Sequence, residues 1–207
     1  ASTPKYNIIY QTFNWEIPTY IHVPPVMKDE QHKLSKRNGD ASYQDLIKQG
    51  YLNEAVINYI ALLGWAPEGE EEIFSLSELI KNFDIKRISK APAIFDLDKL
   101  KWMNGLYLRN LTLENFHQLA MPYYQKIITR DVDLLELSQV LQLRISYLNE
   151  IPEMIDFINE PCNADETLFK NKKMKTNPEN SLEALIWVRD ALSTFDNFND
   201  DLRSEEH

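Results

Sequence analysis

Between Ser42 and Leu192 helix start and stop signals recur, and no stretch alternates apolar and polar residues for long enough to build a strand. Ser42, with Asp45 three residues on, reads as an N-cap with an acidic first turn, and Gly50 stands where a left-handed residue ends a helix over 43–49. Asn53 opens a second helix, closed by Gly64, whose Val56, Ile57, Ile60, Leu62 and Leu63 cover most of its circumference, as a buried helix requires. Ser75 and Glu78 form a capping-box pattern before Leu79, Ile80 and Phe83, and Asp96 caps a short helix carrying Leu97, Leu100 and Met103. Helices are expected over 113–127 with Pro122 near the middle, over 134–150 ending before Pro152, through Phe157, and over 178–192. Upstream, Tyr6–Phe13 follows Pro4 and spaces Ile8, Ile9 and Phe13 helically, whereas Pro18, Pro24 and Pro25 keep 17–26 extended. The polar stretch 27–40 reads as an exposed loop, and 163–180 as a loop with one helical turn. The expected fold is mainly α.

Composition narrows what such a chain can do. With 207 residues, 43% of them apolar, it can bury a core, and no apolar run approaches the roughly 20 residues that span a bilayer, so no membrane role is expected. The single cysteine, Cys162, cannot form an internal disulfide, and the first residues lack the order of a signal peptide; the cytoplasm is the expected compartment. A net charge of −10 argues against a general nucleic-acid coat, because phosphate contacts need clustered cations. One such cluster exists: Lys81–Arg109 holds seven basic residues (Lys81, Lys86, Arg87, Lys90, Lys99, Lys101, Arg109) against three acids, a local +4 that leaves −14 elsewhere. The plain alternative is a solvated helix face.

Three stretches could carry chemistry. Lys33-Leu34-Ser35-Lys36-Arg37 puts three cations around a serine on a polar loop, an electropositive site suited to a polyphosphate. Phe95–Asn110 sets Lys99, Lys101 and Trp102 on one helix with Tyr107 and Arg109 following, a mixture of cations and aromatics suited to an RNA backbone; Arg87 and Lys90 extend the strip. Trp102, by itself, reads rather as core packing. Arg144 interrupts an apolar stripe of Leu134, Leu137, Leu141, Leu148 and Ile151, so it either snorkels outward while Ile145 takes the core place or presents its guanidinium to a ligand. The acidic run Glu68, Glu70, Glu71, Glu72 reads as solvation rather than acid–base machinery, Cys162 as an inert thiol, and the spacing of His22 and His32 fits no zinc site, so no metal is expected.

The segments STPKYN, WEIPTYIHVPPV, KLSKRNGDAS, GYLNEAVINYIALLGW and RISKAPAIFDLDKLKWMNGLYLRN, in this order, resemble the bacterial-type glutamyl-tRNA synthetases, a class I aminoacyl-tRNA synthetase family. The resemblance is close over 2–110 and looser beyond. Glutaminyl relatives in bacteria continue from the same loop into β-barrels, whereas Thr112–Leu192 reads as helical. The resemblance implies the end of a catalytic domain over 1–40, a stem-contact module over 41–110, and an anticodon-binding helical bundle, expected to be C-terminally incomplete, over 111–207. It implies that Lys33, Leu34, Ser35, Lys36 and Arg37 meet ATP, with Lys36 stabilising the pyrophosphate leaving group, where negative charge builds in the transition state. It also implies tRNA contacts from Arg87, Lys90, Lys99, Lys101 and Arg109, with Arg144 reading the last anticodon base. ATP and magnesium would serve the intact enzyme, with glutamate and tRNA(Glu) as partners of a monomer. None of His22, His32, His117 and His207 stands in the HxGH-type signature of the class, so the chain is expected to be a C-terminal part that holds no nucleotide tightly and is inactive alone. The rival expectation is a non-enzymatic helical RNA- or protein-binding module.

Overall fold

The computed structural model of this chain describes residues 2–35, 42–159 and 165–194. Nine α-helices run through them: α1 Thr3–Thr12, α2 Tyr43–Lys48, α3 Asn53–Gly64, α4 Leu76–Asn82, α5 Leu97–Asn110, α6 Leu113–Ile127, α7 Leu134–Gln142, α8 Ile151–Met154 and α9 Pro178–Leu192. Strand pairing among the described residues is limited to isolated bridges, such as Met27 with Lys33 and with Ile94. The chain forms two compact units, Ala1–Asn159 and Glu160–His207.

Most helix starts follow the capping chemistry of the sequence. Ser42 and Asp45 cap α2 reciprocally, as do Ser75 and Glu78 at α4, while Asp96 and Thr112 accept the first free amides of α5 and α6. In the first unit, α3 packs on α5, with Leu46, Tyr51, Val56, Tyr59, Leu100 and Met103 forming one core. Phe116, Tyr124, Leu141, Ile145, Ile151 and Ile155 form a second around α6, α7 and α8. In the second unit, Glu166–Phe169 makes one 3-10 turn, Asn171 bridges Thr176, and Asn177 caps α9.

Four sequence expectations are corrected here. The helix expected over 134–150 stops at Gln142. Its continuation fails because the Glu150 carboxylate accepts from the amides of Ser146 and Tyr147, which an unbroken helix would have bonded to carbonyls one turn back. Arg144 therefore lies on an exposed turn rather than on a helical stripe, while Ile145 is 1% exposed and fills the core place. Pro152 falls in the first turn of α8, where a proline's missing N–H costs nothing, so it begins a helix rather than ending one. On α3, Ile57 and Ile60 are exposed and the buried set is Ala55, Val56, Asn58 and Tyr59, because the neighbouring helices cover one side only. The helix capped by Asp96 is also longer than expected and runs through Gly105 to Asn110.

Candidate nucleic-acid interface

The Lys33 end of the basic loop is tied down rather than free. Met27 donates to the Ala93 carbonyl and accepts from Phe95, Leu34 donates to Val26 at 3.0 Å, and Asp29 closes the turn by accepting from Gln31 and His32. These bonds hold His32, with a carboxylate contact of its own to Asp29, beside an exposed Lys33 and half-buried Leu34 and Ser35. Lys36 and Arg37 lie outside the described residues, as does Cys162.

The cations of the Lys81–Arg109 strip divide by what they touch. Arg87 is half-buried, donating to the carbonyls of Ala66 (2.7 Å) and Pro67, so it braces the loop that follows α3. Lys99 pairs with Glu72 from the acidic run, with the two side chains 36% and 40% exposed. The positive strip is therefore partly covered by the negative loop, which linear counting of charge could not show. Lys101 stands 5.9 Å from the ring centroid of Tyr147, at cation–π distance. Lys90 is exposed beyond α4, and Arg109 is exposed on α5 with its guanidinium folded back over Gly105, where a Cβ would meet its nitrogens at 3.1–3.2 Å. Trp102 is 48% exposed on α5, contrary to the core role its sequence context favoured. Tyr107, by contrast, turns inward, its hydroxyl 2.7 Å from Asn58 Oδ1 and 2.6 Å from the Phe74 carbonyl; burial pushes it up to about 12.

The residues that follow Arg144 pack back onto the first core. Tyr147 stacks on Tyr51 with ring centroids 5.2 Å apart, and the Leu148 amide donates to the Gly50 carbonyl at 3.1 Å. Gly50 has φ +87°, and a Cβ there would come within 2.7 Å of the Leu148 Cβ and 2.9 Å of its backbone nitrogen, so both conformation and space require glycine. Asn149 donates to the Lys48 carbonyl and accepts from the Tyr123 hydroxyl. Gln142 donates to the carbonyls of Leu108 and Leu111, closing the end of α5. These polar clamps carry no clear mark in the sequence. Tyr147-x-x-Glu150 has capping-box spacing, a signal obscured because tyrosine is not an ordinary N-cap.

Residues 1–102 match the family described as tRNA synthetases class I (E and Q), catalytic domain, and residues 115–206 match an anticodon binding domain. A catalytic-domain segment followed directly by an anticodon-binding domain defines a class I tRNA synthetase. The chain belongs to the glutamate–tRNA ligase family of that class: it is 54% identical over 198 residues to the glutamate–tRNA ligase of Clostridium botulinum (strain Hall) and 57% identical over 199 residues to that of Clostridium tetani. Each alignment covers 96% of this chain and 41% of the relative, so the chain spans about 41% of the length of the curated proteins it matches. Among solved structures, a glutamate tRNA ligase from Elizabethkingia meningosepticum in complex with its amino acid superposes with a TM-score of 0.75 at 26% identity, over 94% of this chain and 42% of that one. The glutamate-tRNA synthetase of Elizabethkingia anophelis gives 0.66 at 28% identity, over 80% of this chain and 38% of that one.

Proposed function

We propose that this chain is the tRNA-contacting, C-terminal part of a glutamate–tRNA ligase, a monomeric cytoplasmic enzyme that joins glutamate to tRNA(Glu) at the expense of ATP. The observation that carries this reading is the order of the parts: α5, with its cations and an exposed tryptophan, occupies the stretch where the synthetase catalytic match ends and the anticodon-binding match is about to begin. A helix in that place can touch the RNA stem while the catalytic side holds its acceptor end and the bundle holds its anticodon. In this reading the domains divide as 1–40, 41–110 and 111–207. Lys33, Leu34, Ser35, Lys36 and Arg37 serve ATP binding, and Lys36 has the role of stabilising the leaving pyrophosphate. In this reading magnesium enters with ATP, as a substrate of the intact enzyme.

Arg87, Lys90, Lys99, Lys101 and Arg109 form the stem-facing strip. Arg87 contributes through the loop it braces, since its guanidinium is committed to two carbonyls. Arg144, exposed on its turn, reads the last anticodon base by paired hydrogen bonds.

In the protein as its gene encodes it, Lys36→Ala should slow glutamate-dependent pyrophosphate exchange by about 10- to 1,000-fold and leave tRNA affinity unchanged. An unchanged exchange rate removes Lys36 from the chemistry. If the encoded protein binds tRNA(Glu) but exchanges no pyrophosphate at all, the chain is an RNA-binding module without ligase activity.

A further inference from the structure

We infer that Asn104 is a positioning residue, which fixes the turn carrying Arg144 against the cation-bearing helix α5 so that stem contact and anticodon reading are held in one rigid frame. The inference rests on the reading in which Arg144 meets the anticodon. Asn104 is fully buried on α5 between Met103 and Gly105. Its Oδ1 accepts from the amide of Leu52, the N-cap residue of α3, at 2.8 Å, and its Nδ2 donates to the carbonyl of Ser146, two positions beyond Arg144. One side chain thus joins its own helix to two segments that lie 52 and 42 residues away in sequence.

A leucine would fill the same space without the desolvation cost of a buried amide. What asparagine adds is direction. The turn after α7 takes its conformation because Glu150 captures the amides of Ser146 and Tyr147, and this leaves the Ser146 carbonyl facing the core without a helical partner. A buried backbone carbonyl must be paired, and Asn104 pairs it in the one register that also satisfies Leu52. Glu150 from the outer side and Asn104 from the inner side therefore clamp the same peptide unit. The peptide unit that the clamp holds is two residues beyond Arg144 and joins Ser146 to Tyr147, whose ring lies 5.9 Å from the Lys101 ammonium, so the backbone between the two proposed RNA contacts is fixed by bonds that neither cation makes itself.

The test measures affinity of the encoded protein for tRNA(Glu) transcripts that differ only at the last anticodon base, with melting temperature recorded in parallel. Asn104→Leu should lower the discrimination between matching and changed bases by about tenfold, with the salt slope of binding unaltered. Glu150→Ala releases the same turn from its half-exposed side and should show the same signature; it carries the test if Asn104→Leu does not fold. In an Arg144→Ala background neither change should reduce discrimination further, because both act through that guanidinium. Unchanged discrimination with a lowered melting temperature would make Asn104 a core residue and nothing more. Equal losses with and without Arg144 would show that it acts independently, which also overturns the inference. If the unaltered protein shows no preference for tRNA(Glu), the functional reading falls first, and that outcome is distinct from both.

Discussion

The seam joining Gly50 to Leu148 and the seam joining Glu72 to Lys99 both tie together segments distant in sequence, yet the first is dry and the second is wet. At the first, Asn104 is 0% exposed, Tyr51 is 3% exposed, and glycine is demanded by contacts below 3.0 Å. At the second, an ion pair stands with more than a third of each side chain in water. Neutral hydrogen bonds in a dry site have no competitor and hold one geometry. An exposed ion pair contributes about 0–1 kcal/mol and can exchange a carboxylate for a phosphate at little cost. Under the function proposed above, the two seams would suit two tasks: holding the anticodon-side turn in place, and releasing a cation to RNA.

The sharpest way to break the dry seam is Gly50→Ala. The positive φ costs about 1–3 kcal/mol for a residue with a Cβ, and forcing a methyl against the backbone of Leu148 adds a comparable amount. We expect a loss of about 3–5 kcal/mol by denaturant titration; a loss under about 1 kcal/mol would mean that the two backbone segments can part without unfolding the unit.

The same seam should fail in alkali. Burial, reinforced by Tyr147, Glu150 and Asp98, pushes the Tyr51 phenol up to about 12, and burial does the same to Tyr107. A phenol whose folded value lies above its unfolded value of about 10 favours the folded state while it is protonated. That stability is fully present below pH about 10 and is lost as pH rises through 12, with Tyr51 accounting for on the order of 2 kcal/mol of it. Tyrosinate absorption should rise together with loss of helical circular dichroism in this window. Ionisation of Tyr51 well before unfolding would mean that water reaches the seam.

How much of this was legible beforehand divides along the same line. Helix starts at Ser42, Ser75 and Asp96 are local chemistry, so their spacing alone located the starts of α2, α4 and α5. The break in 134–150 was not legible, because its cause is a carboxylate at Glu150 competing for amides that the apolar periodicity assigned to a helix. Ile145 could be weighed against Arg144 for the core place from spacing, and the structure gives that place to Ile145. Asn104 was invisible, since one asparagine in a helix carries no local mark of partners 52 and 42 positions distant. The positive strip was legible as composition, but its partial cover by Glu72 was not, because charge counted along the chain ignores what folds back across it.

The wet seam can be tested on the RNA side. Lys99→Ala together with Lys101→Ala should lower tRNA affinity and reduce the salt slope by up to about two, near one for each phosphate that the protein no longer neutralises. Equal slopes in mutant and parent would show that the two lysines only solvate α5.

The smallest expected effect distinguishes the two seams most finely. If Glu72 competes with RNA phosphate for Lys99, Glu72→Gln should raise tRNA affinity by up to about fivefold at low salt, because the exposed pair that binding must open contributes at most about 1 kcal/mol. The gain should fade as ionic strength rises and the screening length drops below about 10 Å. Stability should stay within about 0.5 kcal/mol of the parent, as for most surface substitutions. In a Lys99→Ala background the gain from removing the pair should vanish, leaving the smaller effect of one less negative charge near the RNA. A weaker affinity for Glu72→Gln would reverse the assignment: Glu72 would then be holding the Lys99 ammonium in the position RNA needs, and the wet seam would be a second clamp rather than a release point.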